Sequence, residues 1–179
     1  MKIIKKILIA LLVTVAIVLI AALIMPKNYA VQREITINKP VDSVFNYVRS
    51  LKNQNEFSVW ASMDPKMKST FTGTDGQVGS ISAWESEVEN VGSGEQEITK
   101  ITEGERIDFA LRFKEPMNDI ADGFMSTETV AGNQTNVKWG ISGVMPYPWN
   151  AMLPIMNMDE MIGKDLQKGL DNLKQKMEK

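Results

Sequence analysis

Carboxylates are the plausible acid–base residues of this chain, and four of them stand out. Glu85 and Glu87 are two apart in a strand-like run and so share one face, and Asp119 and Asp122 lie in a loop-like stretch. A carboxyl group inside an apolar cavity has a raised pKa and can protonate a substrate. A solvated carboxylate on an acidic surface is far commoner and does no such work. The chain contains no His and no Cys. That excludes the commonest general base and transition-metal ligand, thiol nucleophiles, zinc–thiolate sites and disulfides. Ser-His-Asp and Cys-His machinery is excluded with them. The expectation is no catalytic residue, no metal and no cofactor; any enzyme here would work with carboxylates, Lys, Tyr or Arg.

Binding chemistry has more to draw on. Of 12 Met residues, Met145, Met152, Met156, Met158 and Met161 fall within seventeen positions. Met is flexible and polarizable and suits a wall that adapts to apolar partners, although it is also ordinary core filler. Trp60, Trp84, Phe109, Phe113, Trp139 and Trp149 are spread over several segments. The candidate pocket residues are Trp60, Trp84, Phe109, Trp139, Met145, Met152 and Met156. Pro146-Tyr147-Pro148-Trp149 is an aromatic group with two readings, contact with a bilayer surface or packing against a C-terminal helix, the second preferred. Gly73 to Gly79 lacks both dinucleotide-loop spacing and a P-loop Lys and reads as a turn.

These residues need elements to position them. Val31 to Ile37 alternates apolar and polar side chains and predicts a half-buried strand. Pro40 then opens a short helix whose apolar face is Val41, Val44, Phe45 and Val48. Ser50 to Ser62 is polar and irregular. Three strand pairs come next: Lys66–Gly73 with Val78–Glu87, Glu95–Thr102 with Arg106–Phe113, and Gly123–Val130 with Thr135–Gly143. Turn chemistry joins the members of each pair. Beyond Pro148 the period changes. Ile155, Met158, Ile162, Leu166, Leu170, Leu173 and Met177 recur at helical spacing and predict one long helix from about Pro154. A curved antiparallel meander with one long amphipathic helix is an α+β domain, and one helix cannot fill so wide a sheet. The by-product is a cavity suited to small apolar ligands.

The chain begins differently. Ile7 to Met25 is nineteen residues without a charge, preceded by Lys2, Lys5 and Lys6 and followed by Pro26 and Lys27. As a helix it spans roughly 28 Å, close to a bilayer's hydrocarbon core. The positive cluster predicts a cytoplasmic N-terminus, a single pass through the cell membrane and an extracytoplasmic remainder. A cleaved signal peptide is the alternative; the run is long for one and ends in bulky residues. Residues 1–27 are thus read as an anchor and 28–179 as one domain. The first 27 residues hold four Lys and no acid, which leaves 16 basic against 22 acidic side chains beyond them. An acidic domain is a poor binder of nucleic acid.

The element order resembles the START-like (SRPBCC) superfamily, which includes the birch-pollen-allergen-like fold and the polyketide cyclase/dehydrase group. Ile35-Thr36-Ile37-Asn38-Lys39-Pro40-Val41 through Phe45 is similar to its first strand and helix. Trp60, Asp64-Pro65, Phe71-Thr72-Gly73, and Gly79-Ser80 through Trp84-Glu85-Ser86 are similar to its next strands. Asn157 to Asp165 and Gly169 to Leu173 are similar to the last helix of membrane-anchored members. The resemblance implies a helix-grip fold over about residues 30–177 and no shared catalytic motif. The reading is a membrane-anchored domain that binds a small apolar or lipid-like ligand. The alternatives are a cyclase or dehydratase using pocket carboxylates and an envelope partner-binding module.

Overall fold

The computed structural model describes residues 2–116 and 118–179. Helix α1 (Lys2–Ile24) stands almost wholly exposed, with Ala22 its one buried residue. Strand β1 (Asn28–Ile37) comes next, then α2 (Val41–Val48), α3 (Leu51–Phe57) and α4 (Val59–Met63). The meander comprises β2 (Lys68–Thr72), β3 (Ile81–Glu85), β4 (Ser93–Thr102), β5 (Arg106–Glu115), β6 (Asp119–Ala131) and β7 (Gln134–Val144). A 3-10 turn (Trp149–Met152), α5 (Met158–Met161) and α6 (Gly163–Met177) complete the chain. All strands pair antiparallel in the order β1-β7-β6-β5-β4-β3-β2. This is the α+β arrangement that the periodicity predicts and the helix-grip fold that the resemblance implies.

The core lies where the inward phase of the strands meets α2 and α6. Val31 and Ile37 of β1, Ile107 and Phe109 of β5, and Val137 and Trp139 of β7 are buried, the members of each pair an even number of residues apart and so on one face. Leu166, Leu170 and Leu173 supply the buried stripe of α6 at spacings of four and three. Asp165 in its first turn and Lys174 and Lys176 in its last oppose the helix dipole favourably. The helix runs along β1. Arg33 holds Asp159 in a two-pronged contact at 2.8 and 2.7 Å, and the Asn38 N–H donates to Glu178 at 2.7 Å.

Three expectations need correction. The long helix does not begin near Pro154: its first turn, α5, starts at Met158, and a one-residue interruption at Ile162 separates it from α6. The Asn157 side chain accepts the Glu160 N–H and starts α5 separately. The Arg33 guanidinium lies against Gly163, where a Cβ would stand 2.2 Å from Nη2. Residues 50–62 are not irregular. Ser50 caps α3 by accepting the Asn53 N–H at 3.1 Å, and its hydroxyl donates to Asp75 at 2.6 Å. Trp149 does not pack on the C-terminal helix either. It is 63% exposed, and its turn contacts the end of α1.

Candidate ligand cavity

The cavity sits between the sheet and α3–α4 and has a volume of about 420 Å³. Register explains its walls. Trp84, Gly94 and Phe113 stand in one cross-strand row, Ser82, Gln96 and Leu111 in the next, and Ile98, Phe109, Gly123 and Ile141 in a third. All point inward, because each row is two residues from its neighbour. Glycine makes part of the space. A Cβ on Gly123 would approach Leu111 Cδ1 at 3.3 Å, so an unbranched backbone leaves that position open.

Aromatic contacts stiffen the wall. Trp139 meets Phe57 edge-on at 5.6 Å and Trp60 at 6.0 Å, and Trp84 meets Phe113 at 6.0 Å. Gly169 of α6 lets the indole of Trp139 approach the helix, since a Cβ there would lie 2.6 Å from Cζ3. The Trp84 indole N–H donates to the Val91 carbonyl at 3.2 Å and ties the β3–β4 connection to the wall.

Few polar groups face inward. Gln54, in α3, donates to the Val48 carbonyl at 3.0 Å and accepts from the Gln96 amide at 2.8 Å. That pairing leaves the Gln96 carbonyl oxygen free of any protein donor among the described residues. Ser82 is buried, and its hydroxyl has no protein partner there. These two groups can orient the polar end of a largely apolar guest. Glu89, Glu115 and Asp119 also line the cavity, but all three are exposed. The phenol of Tyr29 is raised above its ordinary pKa by burial first and by the nearby Asp119 charge second.

The structure divides the sequence candidates. Trp60, Trp84, Phe109 and Trp139 lie on the cavity wall together. Met145, Met152 and Met156 do not line it; all three lie in the segment that follows β7 and precede its first α-helical turn at Met158. The Met145 N–H instead donates to the Lys27 carbonyl at 2.8 Å, and Met152 is exposed beside α1. Glu85 and Glu87 are exposed, and neither lines the cavity; Asp122 points away from it. Among the described residues no group of three His, Cys, Asp or Glu is placed to hold a metal. Gln54, Ser82, Gln96 and Gly123 also line the cavity, and none of them belongs to a sequence motif. For Ser82 and Gln96 a signal existed: each is a polar residue on the inward phase of its strand, between Trp84 or Ile98 and the next inward position.

The family model described as polyketide cyclase/dehydrase and lipid transport matches residues 29–178. The chain belongs to this family. Its superfamily is the START-like (SRPBCC) one. Norcoclaurine synthase from Thalictrum flavum, in complex with a transition-state analogue, shares the fold at a TM-score of 0.64 and 8% identity, over 84% of this chain and 94% of that one. Protein CV1439 from Chromobacterium violaceum gives 0.59 at 11% identity, over 84% and 97%. Ara h 8.0201 gives 0.51 at 12% identity, over 82% and 98%. At these identities the likeness establishes the fold alone. No curated relative matches the chain in sequence.

Proposed function

We propose that this protein is a membrane-anchored domain that binds a small apolar or lipid-like molecule in its sheet–helix cavity without transforming it. The observation that carries this reading is the cavity itself: about 420 Å³, walled by Trp60, Trp84, Phe109, Phe113 and Trp139, with Gln96 and Ser82 as inward polar groups. Its size falls within the range of small-molecule pockets, and its chemistry is the usual one, an apolar wall with few polar anchors. Burying about 200 Å² of apolar ligand surface would contribute roughly 5 kcal/mol before ordering costs. The carboxylates that reach the cavity are exposed ones, which favours binding over proton transfer.

Two features support retention of α1 as an anchor. Its exposed apolar surface, from Ile3 to Ile24, is far larger than a soluble domain leaves to water. Asn150 is fully buried and donates to the Ala22 carbonyl at 2.7 Å and the Met25 carbonyl at 3.2 Å. A helix removed by cleavage would take the Ala22 acceptor with it and uncover the turn that packs on α1.

The test is native mass spectrometry of the full chain from its own host in detergent, followed by denaturing extraction. An apolar small molecule at near-stoichiometric amount is the expected result. Gly123→Val, which fills the cavity from β6, should lower its occupancy several-fold. A chain that carries nothing and takes up nothing from a lipid panel would overturn the reading.

A further inference from the structure

The antiparallel register places every strand end. Asn28 pairs with Val144, Ala121 with Gly143, Phe113 with Asp119, Ser93 with Glu115, and Glu85 with Ser93. The start of β1, the end of β7, the β5–β6 connection and the β3–β4 connection therefore share one end of the sheet. Helix α1 joins at that same end, through Met25 to Lys27. The cavity is rimmed there too: Glu89, Asn90, Val91, Glu115, Pro116 and Asp119 all belong to it.

The segment after β7 carries the second observation. No charged residue occurs from Trp139 through Met158. Within that stretch Tyr147 is 42%, Trp149 63%, Met152 47% and Ile155 85% exposed, and Ile120 beside them in the same end is 66% exposed. Asn150 pins this segment to Ala22, inside the last turn of α1. Ile24 ends α1 only two residues on, about 3 Å along the axis. If α1 spans a bilayer, the exposed side chains stand at the depth where its hydrocarbon meets the headgroups. Aromatic and aliphatic residues without charge suit that depth.

Resting on the anchor reading above, we propose that Tyr147 to Met156 is a second membrane contact: it immerses in the lipid interface beside α1 and holds the cavity rim against the bilayer. The occupant of this apolar face is lipid. An apolar guest then passes between bilayer and cavity with little exposure to water.

The chain has no Cys, so single nitroxide labels can be placed at will. Leu12→Cys, Asn90→Cys, Asn133→Cys and Ile155→Cys are labelled in the full protein. Each is reconstituted in phosphatidylcholine–phosphatidylglycerol vesicles, and accessibility to oxygen and to a water-soluble nickel chelate is measured. Asn133 is the reference for water, at the β6–β7 turn on the opposite end of the sheet. The expected result is an oxygen-to-nickel ratio at position 155 several-fold above that at 133, with 90 intermediate. Adding Trp149→Asp should drop position 90 towards the value at 133. A lipid-buried label at 12 with position 155 as wet as 133 overturns this inference and leaves the anchor standing. A wet label at 12 overturns both.

Discussion

Replacing Gly169 with Ala sets two effects of known sign against each other. Gly169 lies inside α6, where Ala is favoured by about 0.8–1.0 kcal/mol on helix propensity alone. Against this, the new Cβ would stand 2.6 Å from Trp139 Cζ3. The ring cannot yield freely, because Phe57 and Trp60 meet it edge-on at 5.6 and 6.0 Å. Overpacking of this kind costs about 1–3 kcal/mol. The steric effect wins, for a net loss of about 1 kcal/mol, or a fall in Tm of about 2–4 °C for a chain of this size. The assay is thermal unfolding of the full chain in detergent, followed by near-ultraviolet circular dichroism. The decisive comparison is the same substitution in a Trp139→Leu background. With the indole gone, Gly169→Ala should raise Tm by about 2–4 °C, so that the sign inverts and the two sites couple by about 1–3 kcal/mol. An equal response in both backgrounds would refute the claim that Gly169 exists to admit Trp139. Since Trp139 is also a cavity wall, the displaced ring should weaken ligand retention in parallel.

The polar contacts lead to two more outcomes. Gln96→Leu removes the donor to the buried Gln54 carbonyl oxygen and should cost about 1–2 kcal/mol in thermal or denaturant unfolding. It should also shift the bound guest towards species without a polar end, as extraction of the variant would reveal. Acid should destabilise the fold in a defined window. Lys176 and Tyr47 lower the Glu56 pKa, the Ser86 hydroxyl lowers that of Asp64, Arg33 that of Asp159, and the Asn38 N–H that of Glu178. A carboxylate depressed in the folded state stabilises it above the ordinary value of 3.8 for Asp or 4.5 for Glu. That contribution is lost as pH falls through the depressed folded values. Tm should therefore be nearly flat from neutrality to about the ordinary carboxylate range and fall below it. A Tm that rises on acidification from 4.5 to about 3 would contradict these assignments.

Local pattern carried most of the architecture. Strict alternation in Val31–Ile37 and Ile107–Phe113, and the four-and-three spacing of Leu166, Leu170 and Leu173, commit these segments to one buried face in any fold they join. The absence of His and Cys excluded whole classes of chemistry before any contact was known, and the uncharged run to Met25 marked α1 as a thing apart. The aromatic cavity residues were legible because Trp84, Phe109 and Trp139 occupy the inward phase of their strands. What tertiary structure decided is what depends on partners distant in the chain. Gly163 is matched to the Arg33 guanidinium of a strand 130 positions away, and the late start of the α-helical turns at Met158 leaves Met145, Met152 and Met156 outside the cavity. The Gln54–Gln96 pair joins a helix to a strand forty-two positions away. Asn150 looks like any loop Asn until it is seen 128 positions from Ala22, holding the end of a membrane-length helix. Periodicity reports which face of an element avoids water; which elements then meet, and what space they leave between them, is set by long-range packing that no local pattern encodes.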